Sequence, residues 1–146
     1  MTETLEYATP VVKPKMSAAW VGVHIARILI GLLFAFAGLN GFFNFATPPP
    51  DQLPPFAKAM MDMHYMMPLV AGTQLLVAVL FLINRFVPFA VVVMTPLVVN
   101  IVLIHIVLER SGLPIALILL VLWALMVWGY RKAYAPMFVA KMRPFA

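Results

Sequence analysis

Four long apolar runs constrain this chain more than any other feature of its sequence. Only short polar stretches separate the runs, which cover about residues 18–45, 68–83, 86–108 and 113–130. A transmembrane helix needs about 20 consecutive apolar residues, because each residue adds 1.5 Å and the hydrocarbon core of a bilayer is about 30 Å thick. The four runs therefore predict four membrane-spanning helices.

The composition indicates that lipid is the solvent of this chain. Of its 146 residues, 64% are hydrophobic and 10% are charged, and the mean hydropathy is +1.02. Soluble domains carry about 25% charged residues, and a chain this short could not hide so much apolar surface from water. There is no cysteine, which excludes thiolate catalysis, disulfide exchange, iron–sulfur clusters and cysteine-based zinc sites. The fold class that follows is an all-α integral membrane protein, a four-transmembrane-helix bundle.

Polar segments divide the chain into three parts. Residues 1–16 predict an N-terminal tail, residues 17–130 the four-helix transmembrane domain, and residues 131–146 a basic, interfacial C-terminal tail. In the first extramembrane loop, Phe56–Met67 is too short and too charged to span, so it predicts a short helix lying in the interface. Its methionines are expected to fill gaps or face lipid. The alternative is that they bind copper together with His64.

The first apolar run also contains a pattern typical of signal-peptide cleavage. Ala35-Phe36-Ala37 has the required small-x-small form. However, the run is longer than the apolar region of a signal peptide, which has about 7–15 residues, and Arg27 interrupts it. We therefore expect this segment to be retained as the first span.

Basic residues are distributed unevenly between the two sides of the predicted bundle. Four spans place both termini on one side, together with the Asn84–Arg85 turn, and that side holds seven basic residues against two on the other. The seven are Lys13, Lys15, Arg85, Arg131, Lys132, Lys141 and Arg143, and the two are Lys58 and Arg110. By the positive-inside rule, both termini are expected in the cytoplasm. The predicted location is a bacterial-type inner (cytoplasmic) membrane, crossed several times.

One face of the first span combines small residues with a charge. At 100° per residue, a single stripe contains His24, Arg27, Gly31, Ala35 and Gly38. Small residues let a neighbouring backbone approach closely in lipid, so the stripe predicts a packing seam. Charge inside a membrane is costly and usually paired, which makes Arg27 a candidate partner for an anion or a quinone carbonyl. Snorkelling of Arg27 to the inner surface is a third alternative.

Polar side chains cluster towards the outer ends of the spans. Gln74 lies about 9 Å inside the outer end of the second span at 1.5 Å per residue. Asn100 and His105 lie in the outer part of the third span, and Asn40 lies near the outer end of the first. Under one hypothesis these groups only hydrogen-bond between helices and fix the bundle. Under the other they line, with Arg27, a pocket for a quinone or another polar headgroup. The candidate cofactor-binding residues are thus Arg27, Asn40, Gln74, Asn100 and His105, and neither catalytic nor metal-binding residues are predicted.

Short motifs occur in a definite order between about residue 26 and residue 134. They are Arg27, Gly31, Phe34, Gly38–Phe45, Gly72-Thr73-Gln74, Ile83–Pro88, Thr95-Pro96, and Asn100 followed by His105. This series resembles the DoxX-like family of small four-helix membrane proteins. The resemblance implies a four-helix bundle and an association with respiratory redox chemistry, because one related subunit belongs to a thiosulfate:quinone oxidoreductase. Gln74 stands where many relatives carry a glutamate and Gly41 where many carry a lysine, and the loss of both ionisable groups favours a structural role.

These observations favour a small accessory or structural subunit of a larger membrane complex, energy-converting or redox, without catalytic activity of its own. The alternative is the quinone-binding subunit of a membrane oxidoreductase of the DoxX/DoxD type. The expected partners are the lipid bilayer and other membrane protein subunits, with no nucleic acid, and the candidate ligands are a quinone or a bound lipid. A small-solute permease is a third hypothesis, which the scarcity of polar groups within the spans disfavours.

Overall fold

Helices form almost all of the part of the chain that the computed structural model describes, residues 17–138. They are α1 (Ala18–Phe43), α2 (Pro55–Asp62), α3 (Met66–Leu82), α4 (Val87–Val107), α5 (Leu113–Gly129) and α6 (Arg131–Tyr134), with short 3-10 helices at Arg110–Gly112 and Ala135–Phe138. The predicted N-terminal tail, residues 1–16, and the end of the predicted C-terminal tail, residues 139–146, lie outside the described residues. The predicted all-α class is confirmed.

Three segments are long and apolar enough to cross a membrane by themselves: α1, α4 and Arg110–Gly129, which contains α5. With 17 residues, α3 is about 26 Å long. It qualifies as a span when it is taken together with α2, from which a bend of 94° separates it. Counted in this way, residues 17–138 contain four apolar helices, as in a multi-pass membrane protein.

The helix predicted in the first loop is present, but it is shorter than Phe56–Met67. It ends at Asp62, because Met63 adopts an extended backbone (φ −80°, ψ 90°) that breaks the helical hydrogen-bond pattern. Met66 and Met67 instead begin α3. This start places Pro68 in the first turn of α3, where its missing N–H has no intrahelical partner to lose. The result is a short α2 nearly perpendicular to α3.

The four long helices form a closed ring. The packed neighbours are α1 with α3, α3 with α4, α4 with α5, and α5 with α1, and the contact between α1 and α3 is the most extensive. The largest fully buried side chains line the inside of the ring and include Ile30, Phe34, Phe81, Met94 and Met126. Large apolar side chains also cover the outside of the helices, as expected where lipid is the solvent.

Glycines on α1 set its distance from α3. A methyl group at Gly38 would lie 2.9 Å from the carbonyl oxygen of Ala71, and one at Gly41 would lie 2.7 Å from the Cβ of Ala71. At Gly31 it would lie 3.0 Å from Cδ2 of Leu82. The predicted small-residue stripe of α1 therefore faces α3 through Gly31 and Gly38, and the two backbones lie close together.

After α5 the chain turns back onto the bundle. Tyr134 of α6 is buried, and its hydroxyl has no hydrogen-bond partner within residues 17–138. It lines a cavity together with Val91 and Val92 of α4. Burial, with a further contribution from Tyr130, raises the pKa of Tyr134 to about 12, so this phenol remains neutral at physiological pH.

The close contact of α1 with α3 predicts that an added methyl group will be tolerated at one glycine of α1 and not at another. Gly38→Ala is expected to destabilise the protein by about 1–3 kcal/mol, because the new Cβ meets the backbone of α3. Gly22→Ala is the matched control, since a Cβ there meets nothing within 4 Å, and it is expected to be neutral or slightly stabilising. Unfolding in detergent, followed by circular dichroism, measures both. Equal stability of the two variants would contradict this packing.

Candidate functional site

Arg27 is the only charged residue within α1, α3, α4 and α5, and its side chain is only 7% exposed. Its Nη1 donates a hydrogen bond to the carbonyl oxygen of Phe81, near the C-terminal end of α3. That oxygen also accepts from the backbone N–H of Asn84 at 3.2 Å. The last carbonyls of a helix lack intrahelical partners and form the negative end of its dipole, so a guanidinium is a favourable cap. Arg27 thus joins α1 to α3 and does not reach the surface.

The position of this contact explains why a charge is needed there. Arg27 lies nine residues after the first residue of α1, Ala18, which is about 14 Å along the helix. The terminal carbonyls of α3 are therefore level with Arg27, and α1 continues for about 14 Å beyond them towards its N-terminal residue, Ala18. Backbone groups in hydrocarbon must be paired within the protein, since water is absent. Arg27 supplies a donor at this depth, while its Nε is buried without a partner among the described residues.

A cavity of about 490 Å³ lies at the opposite end of α1, between α1, α2 and α3. We call it the α1–α2–α3 cavity. Its polar lining comes from Asn40, Thr47 and Gln74. Its apolar lining consists of Leu33, Phe36, Ala37, Gly41, Leu53, Phe56, Ala57, Met60, Met61, Met67, Val70 and Ala71. Two methionines of α2, Met60 and Met61, and Met67 of α3 are thus among the lining residues.

Asn40 both lines this cavity and holds the turn that follows α1. Its Oδ1 accepts from the backbone N–H of Ala46 at 2.7 Å, and its Nδ2 donates to Oγ1 of Thr47 at 3.2 Å. Asn44 adopts the left-handed conformation that ends α1, with φ 53°, a conformation that asparagine tolerates better than most residues. The Asn40 amide keeps one N–H donor beyond these bonds. Gln74, half-buried on α3, makes no side-chain hydrogen bond within residues 17–138.

His105 lies outside this cavity and supports the turn between α4 and α5. Its Nδ1 is 2.8 Å from the backbone carbonyl oxygen of Glu109, so this nitrogen carries the hydrogen and donates. The ring packs against Gly112, where a Cβ would lie 2.2 Å from Cε1 of the imidazole. Since α4 ends at Val107, Glu109 does not share a helix face with His105, and it contributes its backbone rather than its carboxylate to this contact.

A second cavity, of about 320 Å³, separates His105 from the first loop. It is lined by Pro54, Pro55, Phe56, Ala57, Ile104, His105, Leu108 and Glu109. Phe56 and Ala57 of α2 line both cavities and therefore form the wall between them. The sequence contains no signal for this shared wall, because the position of the wall depends on the bend between α2 and α3.

The structure brings only two of the five candidate residues into one cavity. Asn40 and Gln74 line the α1–α2–α3 cavity, His105 lines its neighbour, and Arg27 lies near the C-terminal end of α3. Asn100 is exposed on α4 and lines neither cavity. Within residues 17–138, no three His, Cys, Asp or Glu side chains come together in a way that could hold a metal ion.

Sequence reasoning also missed a polar contact between α4 and α5. The indole Nε1 of Trp123 donates to Oγ1 of Thr95 at 3.2 Å, and that hydroxyl donates in turn to the carbonyl of Val91 at 2.8 Å. The sequence offers a weak signal for this bond, since Thr95 and Trp123 both carry a hydrogen-bonding group within an apolar run. The contact fixes the α4–α5 side of the ring, far from the α1–α2–α3 cavity.

Comparison with known families matches residues 22–106 of the chain, more than half of its length, to a family model described as DoxX. The matched region extends from α1 to the last turn of α4, so it contains the Arg27 contact and the α1–α2–α3 cavity. The predicted resemblance to DoxX-like proteins is confirmed. Comparisons with curated proteins and with solved structures find no match.

If Arg27 caps α3, its removal will weaken the bundle. Arg27→Ala is expected to destabilise the protein by about 2–4 kcal/mol, through loss of a charge-assisted hydrogen bond and of buried side-chain volume. Arg85→Ala is the control, because Arg85 is exposed and its side chain is in the turn after α3, so a change within about 0.5 kcal/mol is expected. Denaturant unfolding in detergent micelles compares the two variants. An Arg27→Ala protein as stable as the wild type would show that Arg27 does not hold the helices together.

Proposed function

Because the chain belongs to the DoxX family, we propose that it is a small accessory subunit of a larger membrane complex and has no chemistry of its own. The observation that carries this proposal is the use of Arg27. An intramembrane charge is a candidate for function by default, but here the guanidinium caps α3. His105 and Asn40 likewise bind backbone groups of adjacent turns. The polar groups of the bundle thus serve mainly to hold its own helices and turns.

The proposed orientation has both termini and the turn after α3 in the cytoplasm of a bacterial-type cell. The basic residues support this orientation, because they are concentrated on the side that would hold the termini. It places the α1–α2–α3 cavity and α2 at the outer face of the membrane. A partner subunit or a membrane-soluble ligand would approach the cavity from that side.

An accessory subunit is expected to be found with its complex. After extraction of native membranes in a mild detergent, the tagged protein should elute together with other membrane proteins in constant proportion, well above the mass of its 16.2 kDa chain. An unrelated four-helix membrane protein with the same tag and expression level provides the control. Elution of the protein alone, or only with copies of itself, would contradict the accessory role.

A second candidate function is quinone binding in the α1–α2–α3 cavity. Its volume of about 490 Å³ lies in the range of small-molecule sites, and apolar side chains surround a few polar groups. A quinone carbonyl accepts hydrogen bonds. Asn40 has one N–H donor beyond its bond to Thr47, and the Gln74 amide donates to no group among residues 17–138. Apolar walls would receive the ring and the start of the isoprenoid chain. This arrangement would suit a subunit that holds a quinone for a partner enzyme.

Gln74 is the better residue for a test, since replacement of Asn40 would also break the turn that it holds. Gln74→Leu is expected to lower the binding of decylubiquinone by about 2- to 10-fold, the value of one lost hydrogen bond. Asn100→Leu is the matched control, because it makes the same amide-to-leucine change at an exposed position outside the cavity, and it should bind like the wild type. The decylubiquinone retained on each purified protein is extracted and measured by mass spectrometry. Equal retention by the Gln74→Leu protein and the wild type would eliminate this candidate.

A further inference from the structure

A different cavity, of about 260 Å³, lies at the other end of the bundle, between the first turns of α1 and the end of α5. We call it the α1–α5 cavity. Its lining includes Trp20, Val23, His24, Trp128, Gly129 and Arg131. Val23 and Gly129 are in close contact, since a Cβ at Gly129 would lie 2.6 Å from Cγ2 of Val23. The two helices therefore touch at one wall of the cavity.

The α5 side of this cavity holds a cation in a fixed position. The guanidinium carbon of Arg131 lies 4.8 Å from the ring centre of Trp128, and its Nη1 donates to the carbonyl oxygen of Trp128 at 2.8 Å. A guanidinium has five N–H donors in a rigid fork, so most of them remain for another partner. The contact with the indole orients the group without neutralising its charge. An oriented guanidinium with free donors is suited to a phosphate, which it can bind in bidentate fashion.

The α1 side of the cavity carries a second polar aromatic pair. The rings of Trp20 and His24 are stacked, with their centres 3.8 Å apart. Nδ1 of His24 lies 3.0 Å from the carbonyl oxygen of Trp20, so it donates there. With the hydrogen on Nδ1, Nε2 is a hydrogen-bond acceptor. The cavity thus has a guanidinium donor on one wall, an imidazole acceptor on the other, and an indole beside each of them.

We propose that the α1–α5 cavity binds an anionic phospholipid headgroup, with Arg131 as the ligand of its phosphate and Nε2 of His24, on the opposite wall, accepting from a headgroup hydroxyl. Indoles are typical of the headgroup level of a membrane. Basic pockets between transmembrane helices on the cytoplasmic side favour acidic lipids, and Lys132 adds a further positive charge next to Arg131. Exposed apolar side chains continue the lining faces towards the middle of the membrane: Ile28 lies one turn after His24, and Leu125 and Val121 lie one and two turns before Trp128. They offer a surface for the acyl chains. Inorganic phosphate has the same headgroup chemistry but would gain nothing from that surface.

The experiment measures how much an added lipid raises the unfolding temperature of the detergent-purified protein. Phosphatidylglycerol is compared with phosphatidylcholine of the same acyl chains, and inorganic phosphate is tested by itself. Phosphatidylglycerol is expected to stabilise the wild type at several-fold lower concentration than phosphatidylcholine. Equal effects of the two lipids would overturn the proposal, and so would the same protection by inorganic phosphate alone.

Variants assign the effect to this cavity. Arg131→Gln should weaken the response to phosphatidylglycerol about five-fold, which corresponds to one basic residue near an anionic lipid surface. Arg131→Lys, which retains the charge but not the rigid fork of donors, should keep only part of the response. Arg85→Gln is the matched control, because Arg85 is an exposed arginine that does not line the cavity, and it should respond like the wild type. Equal responses of Arg131→Gln and Arg85→Gln would overturn the proposal.

If Arg131→Gln does not fold, His24→Leu on the opposite wall takes its place. This variant is expected to respond more weakly to phosphatidylglycerol than the wild type. An unchanged response would overturn the proposal.

Discussion

Two helices in a lipid bilayer gain little by burying one apolar side chain against another, because the lipid tails are equally apolar. What holds them is close backbone approach, together with hydrogen bonds that lipid cannot replace. In this protein both conditions are concentrated between α1 and α3, where Gly38 and Gly41 lie against Ala71 and Arg27 binds the carbonyl of Phe81. The other helices complete the ring around this pair.

The unequal lengths of α1 and α3 explain where the cavities lie. α1 has 26 residues and α3 has 17, so α1 extends beyond the end of α3 over the turns that precede Arg27. In that region α1 packs against α5, with Val23 on Gly129, and the α1–α5 cavity forms beside this contact. At the other end, the bend between α2 and α3 places α2 against α3, and the α1–α2–α3 cavity lies between these two helices and α1. Both cavities therefore follow from how α3 begins and ends.

Particular residues show how far sequence reasoning extends to the candidate site. Depth along a helix is predictable at 1.5 Å per residue, and Asn40 and Gln74, which depth places at the same level, line one cavity. The direction in which a residue faces is much harder to predict in lipid, because lipid-facing and core-facing positions are both apolar. Asn100 was grouped with the others by depth, yet it is exposed on α4. For Arg27 the sequence predicts an anion or a quinone carbonyl as the partner, whereas the structure pairs it with a backbone carbonyl, a group that every residue carries and no motif reveals.

The sequence by itself determined the class of the protein and the approximate positions of its apolar helices. The physical reason is that a chain of this composition must be surrounded by lipid, where each backbone polar group requires an internal partner and a helix provides it locally. It also indicated the small-residue face of α1, since side-chain size and helical period are local properties. Only the tertiary structure decided that this face meets α3, that α2 bends away after Asp62, and that Arg131 lies beside Trp128 at the α1–α5 cavity. Those features depend on residues far apart in the chain, whose contacts are selected by the packing of all the helices together.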